Sequence, residues 1–222
     1  MSALEGSVEF AENPEPRVPC VLLLDTSFSM AGAPIASLNA GLATFRSNLL
    51  EDPVATKRVE VAIVTFNSTA EVLQDFVTVD NFEAPVISQL GGATCMCAGV
   101  EKGLSLLQQR KALYRQNGIA YYQPWLFVIT DGQPTEPAGT IRATSARVKD
   151  EETKKKLAFF AIGVEGANME LLRSFSLRPP AKMAGLNFTS LFVWLSASMQ
   201  RLSASKAGEK TNLPPVDWGT VG

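Results

Sequence analysis

The sequence predicts an α/β fold built on a mostly parallel sheet with helices on both faces. Apolar runs of strand length alternate with helical patterns, which implies a parallel sheet. The leading run is almost unbroken, as in strands covered on both sides. A chain of 222 residues with 46% apolar content is also long enough to bury the core of one domain.

Residues 1–17 carry Glu5, Glu9, Glu12 and Glu15 with Pro14 and Pro16, an acidic composition that reads as an extended N-terminal arm. The domain is expected over residues 18–203, starting with an apolar strand at 18–24 that ends on Asp25. Residues 34–50 place Ile35, Leu38, Leu42, Phe45 and Leu49 on one stripe, with Pro34 in the first turn where its missing N–H costs little. A strand at 58–66 and a more polar edge strand at 71–79 follow. Residues 98–116 repeat the helical stripe through Val100, Leu104, Leu107 and Leu113.

Residues 125–130 and 157–164 are further strands, separated by a polar helix at 140–153 with Ile141 and Val148 as its apolar contacts. Lys154, Lys155 and Lys156 read as a solvated helix end, where positive charge suits the dipole. Leu191, Phe192, Leu195, Met199 and Leu202 form a terminal helix, and residues 204–222 read as a C-terminal tail. No internal repeat interrupts this order.

Composition excludes several functions. With 20 basic against 22 acidic residues and a net charge of −2, no positive field draws the chain to nucleic acid or anionic lipid. No run reaches the roughly 18 apolar residues of a membrane span, and the first residues lack the pattern of a signal peptide, so a cytoplasmic location is expected. Cys20, Cys95 and Cys97 make no disulfide framework and read as reduced thiols. The absence of histidine removes Ser-His-Asp, Cys-His and histidine-zinc mechanisms.

Ligand sites of open parallel sheets form outside the carboxyl ends of strands. Two such ends are polar here: Asp25-Thr26-Ser27-Phe28-Ser29 and Thr130-Asp131-Gly132. A hard divalent ion such as magnesium wants six oxygens and uses only one or two carboxylates. Asp25, Ser27 and Ser29 alternate along an extended loop, and Asp131 adds a second carboxylate. Taken singly, Asp25, Ser27 and Ser29 also suit helix caps, and Asp131-Gly132 suits a plain turn. Their joint occurrence favours a metal.

These residues, together with Thr94 after Gly91-Gly92-Ala93, resemble the metal-ion-dependent adhesion site (MIDAS) of von Willebrand factor A-type (VWA) domains. The resemblance covers residues 18–203. Within that superfamily, Cys20-Val-Leu-Leu-Leu-Asp-Thr-Ser, Arg58-Val-Glu-Val-Ala-Ile-Val-Thr-Phe, Arg178-Pro-Pro-Ala-Lys and Phe192-Val-Trp-Leu-Ser-Ala-Ser-Met-Gln resemble bacterial tellurium-resistance-associated TerY/YegL-like proteins. It implies a Rossmann-like fold with six strands, one of them an antiparallel edge. It further implies a non-enzymatic binding module in a stress-response setting, with a protein kinase and a PP2C-type phosphatase as associated partners. Asp25, Ser27, Ser29, Thr94 and Asp131 would hold a divalent cation, magnesium first and manganese or calcium otherwise, that grips an Asp or Glu of a protein partner.

Two positions depart from the pattern. Phe28 replaces a usual glycine and cannot take positive φ without strain; its ring is either a partner-binding anchor or tucked against a neighbouring loop. Cys97 also stands where glycine is frequent, in a Thr94-Cys95-Met96-Cys97 stretch that could bind a soft metal but reads better as small core residues. The rival functions are aspartyl-phosphate transfer on Asp25, although Ser27 replaces the second Asp that a haloacid-dehalogenase pattern requires, and a metal-free interaction domain with a decayed site.

Overall fold

The computed structural model describes residues 3–88, 90–206, 208–209 and 211–221. Strands β1 (Val18–Asp25), β2 (Val59–Phe66), β3 (Ala70–Thr78), β4 (Trp125–Thr130), β5 (Ala158–Gly163), β6 (Ala181–Met183) and β7 (Gly219–Val221) form one sheet in the order β3-β2-β1-β4-β5-β6-β7. The pairs β1–β2, β1–β4, β4–β5 and β5–β6 are parallel, whereas β2–β3 and β6–β7 are antiparallel. The expected fold class holds, with seven strands instead of six and an antiparallel strand at each edge.

Alternation along β1 explains why its sequence is apolar throughout. Cys20, Leu22 and Leu24 enter one core layer, and Val21 and Leu23 enter the other. The first layer is closed by α2 (Ala33–Leu50), α3 (Pro53–Arg58) and α7 (Phe188–Ala204), and the second by α4 (Met96–Gln116), α5 (Ala138–Thr153) and α6 (Met169–Phe175). The short helices start on good caps: the Asp52 carboxylate accepts from the Val54 and Ala55 amides, and the Asn168 side chain accepts from Leu171 N.

The segment expected as an extended arm instead forms α1 (Ala3–Glu12). Phe10, only 3% exposed, anchors it in a small cluster with Tyr114 and Ile119, its ring edge-on to Tyr114 with centroids 5.7 Å apart. One buried aromatic overrides the polar composition. The expected tail packs as well: Trp218 is buried edge-on against Trp194 at 5.7 Å, and its carbonyl accepts from Ala184 N at 3.0 Å. That anchor delivers β7 to the sheet edge. Of the expected arm and tail, Met1, Ser2, Ala207, Lys210 and Gly222 lie outside the described residues.

Glu60 of β2, fully buried, is the centre of a charged network between α1, α4 and the sheet. One of its carboxylate oxygens accepts from Arg17 Nε at 2.7 Å and Arg110 Nη2 at 2.8 Å, and the other from Arg110 Nε at 2.8 Å and the Tyr114 hydroxyl. Burial alone would lower the Arg110 value, but the hydrogen bonds and charge of Glu60 hold it above the usual guanidinium range. Burial, followed by the charge of Glu60, holds Tyr114 well above its usual value.

Helix α5 ends at Thr153, and Lys155 closes the following turn with φ +53, the one non-glycine residue with positive φ among those described. Its amide donates to the Glu152 carbonyl and that of Lys156 to the Glu151 carbonyl, a helix-terminating arrangement that favours glycine. Lys155→Gly is expected to stabilise the protein by about 0.5–1 kcal/mol, because a Cβ in left-handed backbone costs roughly 1–2 kcal/mol and glycine returns part of that as chain entropy. The urea midpoint should rise; an unchanged or lower midpoint would mean the turn carries no strain.

Candidate metal centre

The carboxyl ends of β1 and β4 are neighbours through the Leu24–Ile129 pair, so Asp25 and Thr130 leave the sheet side by side. The Thr130 hydroxyl donates to one Asp25 carboxylate oxygen, and Ser27 N donates to the other at 2.8 Å. Asp25 is thereby fixed at 0% exposure, and its loop is turned back over it. Ser27 and Ser29 hydroxyls lie 3.1 Å apart, and Ser29 donates to Asp131 Oδ1 at 2.7 Å. A continuous chain of oxygens therefore joins the two strand ends.

Thr94 reaches the same edge through the crossover that follows β3. Gly91 N donates to the Thr26 carbonyl at 2.9 Å, and Thr26 N and Oγ1 both donate to the Phe66 carbonyl, so the loop is tied to β1 and β2 together. Gly92 has φ +78, and a Cβ there would stand 2.2 Å from Ser68 Oγ, so any other residue would be strained and would displace the Ser68 hydroxyl. Thr94 Oγ1 then sits 2.8 Å from where Gly132 would carry a Cβ, beside the Asp131 turn, and the Thr94 carbonyl accepts from Thr135 N at 3.0 Å. All five residues expected from the sequence are brought to one edge of the sheet.

The capping alternatives do not describe this loop. The N-cap of α2 is Gly32, with no side-chain bond, and Ser27, at the start of a 3-10 turn spanning Phe28–Met30, accepts no capping bond through its hydroxyl. That turn also removes the objection raised by Phe28, which has no positive φ. Its ring is 72% exposed, with its tip about van der Waals distance from the Gly91 position. The ring edge leans on the neighbouring loop while most of its surface faces solvent.

The electrostatics of the edge are one-sided. Among the described residues, no lysine or arginine forms an ion pair with Asp25 or Asp131. Burial holds the Asp25 carboxyl above the usual carboxylate range against its hydrogen bonds, and the charge of Asp131 adds to the rise. No three His, Cys, Asp or Glu side chains gather at a common point among the described residues, so the oxygens available are two carboxylates and the hydroxyls of Ser27, Ser29 and Thr94. That set fits a hard divalent ion and does not fit zinc or a soft metal.

Cys20 and Cys97 take no part. Met96 and Cys97 enter the core layer under α4, and burial, followed by the charge of Glu136, pushes the Cys97 thiol up to about 12. Burial raises the Cys20 thiol further still. Neither is a reactive thiolate at neutral pH. Thr130, marked in the sequence only as part of a polar strand end, gains a role here: the pairing of β1 with β4 gives its hydroxyl the Asp25 carboxylate as partner.

The comparisons agree with this fold. Residues 20–191 match the family model for the von Willebrand factor type A domain. A solved von Willebrand factor type A structure from Catenulispora acidiphila is similar at 14% identity and TM-score 0.61, covering 84% of this chain and 43% of that one. The open form of the pilus adhesin SpaC from Lactobacillus rhamnosus GG is similar at 12% identity and TM-score 0.66, covering 84% of this chain and 30% of that one. The ArnB paralog VWA2 from Sulfolobus acidocaldarius follows at 15% identity and TM-score 0.51, with 82% and 45% covered. The chain thus spans less than half the length of each, and at these identities the likeness concerns the fold. No curated protein matches the sequence. Among the described residues, no helix is long and apolar enough to cross a membrane. By its family-model match, the chain belongs to the von Willebrand factor type A domain family.

Proposed function

We propose that the chain is a metal-dependent protein-binding module that holds a divalent cation, magnesium first, with Asp25, Ser27, Ser29, Thr94 and Asp131. The observation that carries this reading is the pair of carboxylates and three hydroxyls collected at the carboxyl edge with, among the described residues, no basic side chain paired to them. Domains of this family are generally protein-interaction modules, which agrees with a role as scaffold or adaptor. When bound, the cation supplies an electrophilic position that an Asp or Glu of a partner protein can fill. Asp25 is oriented for this by Thr130 and Ser27 N, and Asp131 by Ser29.

Aspartyl-phosphate chemistry at Asp25 receives no support from the geometry, because that carboxylate has no exposed surface and both its oxygens are engaged. The resemblance to TerY/YegL-like proteins extends the proposal to a bacterial stress-response system with a kinase and a PP2C-type phosphatase among the partners. Pull-down from a lysate with and without chelator tests the metal dependence, and the genes adjoining this one test the setting. Capture that persists unchanged in chelator would remove the metal from the proposal.

Phe28 gives this reading a second test. Its ring is largely exposed at the rim of the site, where aromatic residues serve as interface anchors. Phe28→Ala should leave the stability within about 0.5 kcal/mol of the parent and weaken partner binding by about tenfold or more. Equal binding by both proteins would relegate Phe28 to a loop contact.

A further inference from the structure

The opposite end of the sheet holds a cavity of about 900 Å³ at the amino ends of β4 and β5, walled by the end of α4, the turn after α5 and a segment that includes Gly208, Thr211 and Leu213. Its volume is in the range of small-molecule sites. Lys111, Arg115, Arg147, Lys155, Lys156 and Arg178 line it, against Glu151 and Glu209. In a chain of net charge −2, this is a marked local excess of positive charge.

Not all of these cations are matched by a carboxylate. Arg147 pairs with Glu101 and Arg178 with Glu152, and Lys111 stands 3.9 Å from Glu151. Among the described residues Lys155 and Lys156 form no ion pair, and Arg115 has a 3.5 Å contact with the Tyr121 hydroxyl but no carboxylate partner. Burial also pulls the Lys111 ammonium below its usual value, a cost that an anion in the cavity would reverse. Lys155 is held in left-handed backbone, a position better suited to glycine, which is the kind of local strain found at ligand clamps.

Round the amino ends of the strands the cavity reaches the other core layer, where its lining is aromatic. Trp125 and Phe160 lie with ring centroids 5.0 Å apart and planes tilted by 51°, and the Arg178 guanidinium sits 5.3 Å from the centre of the Phe160 ring. Leu213 lies on this side, whereas Leu104 and Leu157 line the half under α4 and α5 that carries the cations. A ligand satisfying both halves carries several phosphate charges and a planar ring.

We propose that this cavity is a binding site for a nucleotide-sized polyphosphate, with the phosphates on Lys111, Arg115, Lys155 and Lys156 and the ring toward Trp125 and Phe160. It lies at the end of the sheet away from Asp25 and Asp131, so it stands or falls independently of the metal centre.

Isothermal titration of the full chain with ATP in EDTA is the direct test, the chelator removing any magnesium-bridged contact at the other edge. Saturable binding is expected, about tenfold weaker in Lys155→Gly and in Lys156→Met, since a hydrogen bond to a charged group is worth about a decade or more of affinity. Lys155→Gly is also expected to be the more stable protein, so its loss of binding cannot come from unfolding. Asp25→Asn should bind ATP as the parent does. Inorganic tripolyphosphate should bind more weakly than ATP and adenosine more weakly still. Absence of saturable heat at millimolar ATP, or equal affinity in the parent and both lysine variants, overturns the site. Tripolyphosphate binding as tightly as ATP overturns the assignment of a ring, and preference for a phosphorylated peptide over ATP overturns the ligand class.

Discussion

Glu60→Ala is expected to lower the stability of the protein by about 3–5 kcal/mol, the range for removing one partner from a buried ionic network. The Glu60 side chain has no solvent exposure, and both its oxygens accept hydrogen bonds from Arg17, Arg110 and Tyr114. Truncation leaves two guanidinium groups, at 0% and 3% exposure, beside a cavity instead of a carboxylate. Urea unfolding should show a lower midpoint with little change in slope. Replacing Glu60, Arg17 and Arg110 together by apolar side chains of similar size should cost less, because no guanidinium then faces a missing carboxylate, although the part-exposed Glu9 loses its Arg110 partner. A loss below about 1 kcal/mol for Glu60→Ala would mean that water enters and solvates the arginines.

The same network predicts the alkaline limit of the fold. Tyr114 is held above its usual value, so it favours the folded state fully below the unfolded tyrosine value of about 10, and this contribution is lost as pH climbs toward the folded value. Tyr114→Phe should flatten that part of the stability profile. If parent and variant lose stability in parallel above a pH of about 10, the tyrosine is not the group responsible.

Legibility in the sequence tracked how local each determinant is. The β1 run, the stripe of α2 from Ile35 to Leu49 and the polar edge strand β3 are written in neighbouring residues, and all three appear where their patterns indicate. Helix α1 and strand β7 depend on distant anchors, Phe10 and Glu9 on Tyr114 and Arg110, and Trp218 on Trp194, which periodicity does not register. Glu60 is a lone charge in an otherwise apolar strand, and its cationic partners lie 43 and 50 positions away, beyond the reach of any local pattern. At the candidate site, strand ends marked Asp25 and Asp131, whereas the role of Thr130 and the 3-10 conformation that accommodates Phe28 emerge only from the pairing of β1 with β4 and the fold of the loop.

Asp25→Asn combined with Asp131→Asn is expected to abolish magnesium binding, and with it metal-dependent capture of a partner, while leaving the protein folded. The asparagine pair is preferable to alanine because an amide at position 25 keeps an oxygen able to accept from Thr130 or Ser27 N, and no cavity opens at a position of zero exposure. Stability should hold or rise without metal, since desolvation of the Asp25 carboxylate and its repulsion by Asp131 both disappear. The parent should show the opposite dependence: saturating magnesium raises its unfolding midpoint by an amount that grows with free metal concentration, and the double variant shows no such rise. Parallel stabilisation of both proteins by magnesium would place the cation elsewhere. The midpoint without metal is measured first, so that loss of partner capture is read only from a folded variant. A folded double variant that still captures its partner in chelator would leave the carboxylates a structural role: closing the β1 and β4 ends through Ser29 and Thr130, with the exposed Phe28 ring as the principal contact.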